Sequence, residues 1–378
     1  MKYNDFNSGE FTVGKKRGNR FVSSSMIDDE RKSSIAVIAA ILVLAILTCS
    51  IFVVFSEEFS FPVWNLGGDI TTTTKPDAPI IDPNGDYPYA TKTNKTQFVA
   101  NKGGTKIEGI GLNSDYAILI NTGDMSTVAH KNADEAIYPA SMTKVMTVIT
   151  ALDIIEDLDD VYVLTLKVLN QVPHNASVAD LGYLFKNYGV KNVTVRDLLY
   201  GIAYKSGADA VLCLMDYLGL SVEQFVALMN QKAKDIGLKS TRFGGVIGMD
   251  SEENQTTCRE MAAIMTYAME NEYAREFFSG GKYPFDLNDG FSYYHSTLDT
   301  LLGKMNTNSK TLLRNYTVIA AKSGLETNAG YCLVSYIKNN TTGEYFVLVT
   351  AKAEKYDAYT PAANPINDMV KIFGNFNP

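Results

Sequence analysis

The order of predicted strands and helices indicates an α+β fold in which an all-helical lobe is inserted into an antiparallel sheet. β-prone runs occupy two separate regions, 109–131 and 316–352, and the region between them carries helical periodicity. The chain has 378 residues, 46% of them hydrophobic and 20% charged, which is typical of a globular protein large enough for two domains. Strands that stop, give way to helices and then resume are typical of this fold class. We expect a pocket between the lobe and the sheet.

The first strands form a hairpin, and a buried helix follows them. The hairpin turn is predicted at Asn121–Asp124. Apolar residues then recur with i, i+3, i+4 and i+7 spacing from Met142 to Leu152, and neighbouring apolar residues extend this surface nearly all round the helix. The helix that begins at about Ser141 is therefore expected in the core.

Further helices and strands follow in two blocks. The helices are TVRDLLYGIAY, ADAVLCLMDYL, SVEQFVALMNQKAKDIGL and TCREMAAIMTYAME, and capping boxes are predicted at Thr194 with Asp197, Ser221 with Gln224, and Thr257 with Glu260. The strands are YTVIAAKSG, AGYCLVSYIKNN and GEYFVLVTAK, and a last helix is predicted near Pro361 to Phe373.

A hydrophobic segment near the N-terminus predicts a membrane anchor. Residues 33–55 contain no charged side chain, and as a helix they span about 34 Å, enough for a hydrocarbon core of about 30 Å. Basic residues precede the segment, while Glu57 and Glu58 follow it, so the positive-inside rule places the N-terminus in the cytoplasm. A cleavable secretory signal is the competing interpretation, but its apolar core is typically only about 7 to 15 residues long.

These features divide the chain into four segments. Residues 1–32 are a basic cytoplasmic tail, 33–55 the transmembrane anchor of a single-pass cell-membrane protein, and 56–108 a flexible linker rich in Thr, Pro and Gly. Residues 109–378 are predicted to form the extracytoplasmic folded domain.

Composition excludes several classes of function. The net charge of −8, without a Lys/Arg cluster outside the tail, argues against a nucleic-acid partner. No metal-ligand spacing or cofactor motif is present, and Cys213, Cys258 and Cys332 are interpreted as buried small hydrophobes. With three histidines and no GxSxG sequence, a Ser-His-Asp triad is unsupported.

The chemistry is suggested by YPASMTK, in which Ser141 and Lys144 lie one helical turn apart. Two other Ser-x-x-Lys matches exist, but Ser279 lies in a glycine loop and Ser335 in a strand, where i and i+3 face opposite sides. At a helix start, the dipole and apolar neighbours disfavour a protonated Lys144, and a neutral amine can accept the serine proton. The alternative at this point is a capping serine with a solvated lysine.

Two further stretches carry polar side chains that could complete such a site. In YKSGADA, Ser206 lies between two predicted helices, so its hydroxyl comes from a helix–helix turn. In AAKSGLETNAGYCLV, Lys322, Ser323 and Gly324 close a strand, and the glycine allows a ligand backbone to approach its edge. The positive charge of Lys322 would also favour a neutral Lys144.

SMTK, SGA and KSG, in this order, resemble the SxxK, SxN and KTG motifs of penicillin-binding serine D-Ala-D-Ala carboxypeptidases of peptidase family S11. The resemblance covers about Gly109 to Lys352 and includes HKNADEAIYPASMTKVMT, VTVRDLLYGIAYKSGADA, FGGVIGMDSEENQTTCREMA and KSGLETNAGYCLV. It implies a transpeptidase/β-lactamase-like fold, a peptidoglycan stem peptide as substrate, acylation by β-lactams, and no cofactor or metal.

The resemblance also implies roles for individual residues. Ser141 would form an acyl-enzyme on the penultimate D-Ala with release of the terminal D-Ala, with Lys144 as general base and Ser206 as proton relay. Lys322 and Ser323 of the Lys322–Leu325 stretch would bind the substrate carboxylate. The backbone N–H groups of Ser141 and Leu325 would form the oxyanion hole.

Two residues depart from the family pattern. Ala208 replaces the asparagine of SxN, and the loss of one charge-assisted hydrogen bond corresponds to about 1.5 to 3 kcal/mol, or about 10- to 100-fold in rate. Glu326 replaces a small hydroxyl residue, and its carboxylate would repel the substrate carboxylate unless it faces solvent. The functions that remain are an active carboxypeptidase, a peptidoglycan-binding or regulatory pseudoenzyme, and a β-lactamase, which lacks an evident second carboxylate base.

Overall fold

The computed structural model describes residues 87–287, 290–296, 299, 303, 314–353 and 364–378. The strands are β1 (Thr105–Lys106), β2 (Ser114–Asn121), β3 (Thr127–Lys131), β4 (Val161–Val163), β5 (Asn192–Thr194), β6 (Lys282–Leu287), β7 (Gly290–His295), β8 (Tyr316–Glu326), β9 (Gly330–Asn339) and β10 (Tyr345–Ala353). The helices are α1 (Thr143–Leu152), α2 (Leu166–Leu169), α3 (Leu181–Tyr188), α4 (Val195–Lys205), α5 (Ala208–Tyr217), α6 (Val222–Ile236), α7 (Cys258–Ala268), α8 (Glu272–Phe278) and α9 (Asn364–Phe376).

One sheet joins the strands from both ends of the domain in the order β1-β3-β2-β10-β9-β8. Its neighbours are antiparallel except for β1 and β3, which are parallel, so the sheet is mixed rather than purely antiparallel. β8 lies at the edge, and its free side faces the short 3-10 turn Ala140–Met142 that precedes α1. The predicted α+β class is confirmed, and this sheet edge forms one wall of the site.

Both faces of the sheet are covered by helices, because successive side chains in β2 alternate between two hydrophobic clusters. Ile118 and Ile120 belong to the large cluster shared with α1, α4 and α7, whereas Ala117 and Leu119 pack with α9 on the other face. A strand that is covered on both sides has no polar face, which explains why the centre of β2 is fully buried.

The segment inserted between β3 and β8 is mostly helical, but the prediction of an all-helical lobe was wrong. β4 pairs with β5 and β6 pairs with β7, each as a two-stranded antiparallel sheet. β4 and β5 have only three residues each, too short to show a period-2 pattern in the sequence.

The folded domain begins before Gly109. Phe98 and Ala100 are 5% and 3% exposed in the main core, and β1 pairs with β3. Residues 87–108 therefore pack on the domain, although their composition predicts a linker. The predicted C-terminal helix is present at Asn364–Phe376.

The predicted anchor at 33–55 lies outside the described residues. Within the described part, no single helix has both the length and the apolar character to cross a bilayer, although the bent pair α5 and α6 meets both criteria together.

Candidate active site

Ser141 lies in a tight turn that leads directly into α1. The turn Ala140–Met142 is a 3-10 helix after Pro139, and the Met142 N–H donates to the Pro139 carbonyl (3.1 Å). Ala140 has a φ of 47°, in the left-handed region that costs a non-glycine residue about 1 to 3 kcal/mol. The backbone therefore holds strain immediately before Ser141, which is half-buried at the start of the buried helix.

Lys144 is a buried amine in contact with Ser141. Its side chain is 2% exposed, and its Nζ forms hydrogen bonds to Ser141 Oγ (3.1 Å) and to the Ile247 carbonyl (2.6 Å). Burial lowers the Lys144 pKa from 10.5 to about 7, although the carboxylates of Glu326 and Asp209 oppose this shift. Lys144 is therefore not the solvated lysine of the alternative interpretation. With this lowered pKa, a large fraction of its side chain is neutral at neutral pH.

A segment from Val246 to Gly248 closes the site behind Lys144. Thr147 Oγ1 donates to the Val246 carbonyl (2.8 Å), and the next carbonyl, that of Ile247, binds Lys144. Gly248 has a φ of 81°, and a Cβ at this position would lie 2.0 Å from the Ala140 carbonyl oxygen. Only glycine allows this segment to pack against the turn that carries Ser141. Sequence reasoning did not assign a role to this segment.

Ser206 is presented by the end of α4, as the sequence indicates. It caps the helix in the left-handed conformation, with φ 56° and ψ 31°, and the Gly207 N–H donates back to the Gly201 carbonyl (3.0 Å). This geometry turns the chain sharply into α5 and leaves the Ser206 hydroxyl half-buried beside β8.

Lys322 is fully buried on β8 and joins Ser206 to the sheet edge. Its Nζ donates to Ser206 Oγ (3.1 Å) and to the Ser323 carbonyl (2.9 Å). Burial, assisted by the charge of Lys144, lowers the Lys322 pKa well below 10.5. Two buried amines thus lie near each other, and the charge of Lys144 disfavours protonation of Lys322.

The rest of the KSG stretch lies along the same strand. Ser323 is half-buried and Leu325 is 42% exposed. A Cβ at Gly324 would lie 2.9 Å from Ala140 Cβ and 3.1 Å from Ser141 N, so the absence of a side chain lets the strand contact the turn that carries Ser141. Gly324 therefore brings β8 against Ser141 itself.

These contacts place the sequence-predicted residues along one cleft between the lobe and the sheet edge. Lys144 touches Ser141, Lys322 touches Ser206, and Gly324 lies against the turn that carries Ser141. Among the described residues, no group of three or more His, Cys, Asp or Glu side chains could hold a metal ion. The three described cysteines are free and buried, as interpreted from the sequence.

The two departures from the family pattern lie close in sequence to Ser206 and Lys322. Ala208 is the first residue of α5 and is fully buried, with its N–H donating to the Ser177 carbonyl (2.8 Å). Glu326 lies on the same face of β8 as Lys322 and Gly324, because these positions are two residues apart. It is half-buried and its charge raises the Lys144 pKa, so it does not simply face solvent.

The model of the D-alanyl-D-alanine carboxypeptidase family, peptidase family S11, matches residues 104–353. The chain belongs to this family. Among its S11 relatives, DacF of Bacillus subtilis is 29% identical over 259 residues, which are 68% of this chain and 62% of that protein. DacC of Escherichia coli is 27% identical over 252 residues, 66% of this chain and 59% of that protein. The chain therefore spans about three fifths of the length of these two relatives.

Two solved structures share the fold of this chain. A variant of the DD-transpeptidase of Streptomyces K15 superposes with a TM-score of 0.57 at 24% identity and covers 70% of this chain and 98% of that one. Penicillin-binding protein D2 of Listeria monocytogenes, solved in a cefotaxime-bound form, gives a TM-score of 0.56 at 22% identity and covers 72% and 100%. The predicted transpeptidase-like fold is confirmed.

Proposed function

We propose that the protein is a serine carboxypeptidase that removes the terminal D-Ala from peptidoglycan stem peptides through an acyl-enzyme on Ser141. The observation that carries this proposal is the contact between Ser141 Oγ and the buried Nζ of Lys144, whose pKa is about 7. An amine that is substantially neutral at neutral pH can act as the general base for an adjacent hydroxyl. Membership of the S11 family supports the substrate class.

Acylation requires removal of the Ser141 proton and stabilisation of the resulting oxyanion. Neutral Lys144 accepts the proton as Oγ attacks the carbonyl carbon of the penultimate D-Ala. The Ser141 N–H at the helix start and the Leu325 N–H on β8 are the proposed oxyanion donors, a role supported by the approach of Gly324 to Ser141. The C–N bond then breaks, and the leaving amine takes a proton.

Ser206 and Lys322 are proposed to serve the leaving group. Ser206 Oγ relays a proton to the departing D-Ala amine, and its contact with Lys322 Nζ supports this role. Lys322 and Ser323 bind the terminal carboxylate, which restores the charged form of the buried Lys322. Water then hydrolyses the Ser141 ester. β-Lactams enter the same pathway as substrate mimics, so we expect them to acylate Ser141.

We also propose that residues 33–55 anchor the protein in the cell membrane with the N-terminus in the cytoplasm. The support is the uncharged length of this segment and the basic residues before it. The catalytic domain would then act on the outer side of the membrane, where peptidoglycan lies.

A pseudoenzyme that binds peptidoglycan without turnover is the second candidate. It is favoured by Ala208, whose methyl group is fully buried where the family places an amide. A β-lactamase is the third. These functions differ in whether the acyl-enzyme forms and how fast it is hydrolysed.

One experiment separates the three functions. The full-length protein is incubated with a fluorescent penicillin and, separately, with a peptide that ends in D-Ala-D-Ala. Labelling together with D-Ala release supports the carboxypeptidase, labelling without release the pseudoenzyme, and rapid release of hydrolysed penicillin the β-lactamase. Ser141→Ala should abolish both signals, whereas Ser279→Ala, in another Ser-x-x-Lys sequence whose serine hydroxyl donates to the Glu276 carbonyl, should change neither. Labelling that survives Ser141→Ala would refute the assignment of the nucleophile.

A further inference from the structure

A buried carboxylate holds the loop behind Ser206, although neither the sequence motifs nor the proposed mechanism uses it. Asp209, the second residue of α5, is 2% exposed. Its Oδ1 accepts hydrogen bonds from the N–H groups of Ala179 (2.7 Å) and Ala210 (2.9 Å), and its Oδ2 accepts one from Leu181 (2.9 Å). Both oxygens therefore bind backbone donors, and two of these donors come from the segment 177–181.

The segment 177–181 supports the turn that carries Ser206. The Ser177 carbonyl accepts the Ala208 N–H (2.8 Å), and a Cβ at Gly207 would lie only 2.6 Å from Ala179 Cβ. The two residues that follow Ser206 thus rest directly on this segment. A salt bridge between Lys205 and Asp180 (3.3 Å) adds a contact just before Ser206.

Ser206 needs such support because its backbone is strained. A serine at φ 56° is in the left-handed region, where glycine is normally found at a helix end. A strained conformation persists only when its surroundings hold it in place. The Ser206 hydroxyl must also stay within hydrogen-bond distance of Lys322 Nζ, which belongs to a different part of the chain.

We propose that Asp209 is a positioning residue that clamps the segment 177–181 onto the Ser206 turn and thereby fixes the Ser206 hydroxyl beside Lys322. This inference rests on the proposed function for its kinetic consequences, but the clamp itself is a structural claim. Ala208 has no side-chain amide, and the carboxylate of the next residue holds the segment 177–181 through its backbone N–H groups.

The charge of Asp209 adds a consequence that simple structural support would not have. It raises the Lys144 pKa, as does Glu326 on β8, whereas burial lowers it. The other titratable groups that face the clamp are Lys322 beside Ser206, Cys213 on α5, and Asp180 with its partner Lys205. Burial raises the pKa of Asp209, and its three backbone hydrogen bonds act in the opposite direction by stabilising the carboxylate. Removing the Asp209 charge should therefore move the pH midpoint of acylation to lower pH.

The test compares Asp209→Asn with Asp368→Asn in the full-length protein. Asp368 is an equally buried carboxylate that accepts the N–H groups of Asn113 (2.8 Å) and Ser114 (2.7 Å), but it lies on α9, on the opposite face of the sheet. Three quantities are measured for each variant: the rate constant of labelling by fluorescent penicillin from pH 6 to 9, the melting temperature, and amide hydrogen exchange.

Asp209→Asn should slow acylation about 10- to 100-fold, lower its pH midpoint, and speed exchange at Ala179, Leu181 and Ala208. Asp368→Asn should lower the melting temperature while leaving the acylation rate and midpoint unchanged. Asp209→Glu, which keeps the charge but lengthens the side chain, should slow acylation without moving the midpoint. A wild-type rate and midpoint in Asp209→Asn would overturn the proposal.

Hydrogen exchange separates this proposal from the proposed function. If wild-type protein neither labels nor releases D-Ala, the proposed function fails. The clamp is then still decided by exchange at Ala179 and Ala208: faster exchange in Asp209→Asn supports it, and unchanged exchange overturns it.

Discussion

Raising the pH from 6 to 8 should increase the rate at which penicillin acylates Ser141 about ten-fold. The reaction needs neutral Lys144, and the pKa of this amine is lowered to about 7, so its neutral fraction grows as the pH rises through 7. With that pKa, about a tenth of Lys144 is neutral at pH 6, about half at pH 7 and about nine tenths at pH 8. An unperturbed lysine near 10.4 would instead give a rate that still rises ten-fold per pH unit above pH 8.

The assay is the second-order rate constant for labelling of the full-length protein by a fluorescent penicillin, measured at constant ionic strength. Lys144→Arg supplies a permanently charged side chain, so it should not label at any pH in this range. Lys232→Arg is the matched control. Lys232, on α6, is also buried, but it forms an ion pair with Asp153, the residue that ends α1. A rate that is flat from pH 6 to 8, or that keeps rising ten-fold per unit above pH 8, would refute the role assigned to Lys144.

Further predictions concern the strand edge and Ala208. Gly324→Ala should abolish labelling because its Cβ would lie 2.9 Å from Ala140 Cβ. Gly182→Ala, with open space around its Cβ, is the control and should label normally. Equal labelling of the two variants would contradict the close contact between Gly324 and the turn that carries Ser141. Glu326→Gln should shift the pH midpoint of labelling to lower pH, since the Glu326 carboxylate raises the Lys144 pKa. An unchanged midpoint would show that the charge of Glu326 does not affect the protonation of Lys144. Ala208→Asn should raise D-Ala release about 10- to 100-fold by restoring a charge-assisted hydrogen bond, and an unchanged or lower rate would contradict this.

Elements whose signals are local were predictable from the sequence. The capping boxes at Thr194 and Ser221 form with both reciprocal hydrogen bonds. At Thr257 the side chain caps α7, but the Glu260 carboxylate accepts instead from the backbone of Lys239 and Ser240. The Glu260 carboxylate thus binds a segment distant in sequence instead of the Thr257 backbone N–H, so only one of the two hydrogen bonds of the predicted capping box forms. A local sequence pattern does not show such competition from tertiary contacts.

The site was predictable where its chemistry lies in side chains and not where it lies in the backbone. Ser141, Lys144, Ser206 and Lys322 were singled out by residue type, by spacing and by the family resemblance, and in the structure Lys144 contacts Ser141 and Lys322 contacts Ser206. The second partner of Lys144 is a main-chain carbonyl at Ile247, distant in sequence, and any residue type supplies such a group. The parallel strand β1 was missed for a related reason, since two residues carry no periodicity.

The pairing of two buried amines lets the site bind an anionic ligand and keep its base. In the free site, burial lowers the pKa of both Lys144 and Lys322, and the charge of Lys144 lowers the Lys322 pKa further. A carboxylate alone would raise the Lys144 pKa, as Glu326 and Asp209 do, but at Lys322 it would stabilise the charged form of that amine, and the resulting ion pair adds little net charge beside Lys144. Because acylation needs a neutral Lys144, a ligand with a terminal carboxylate would be bound by Lys322 while Lys144 keeps its lowered pKa.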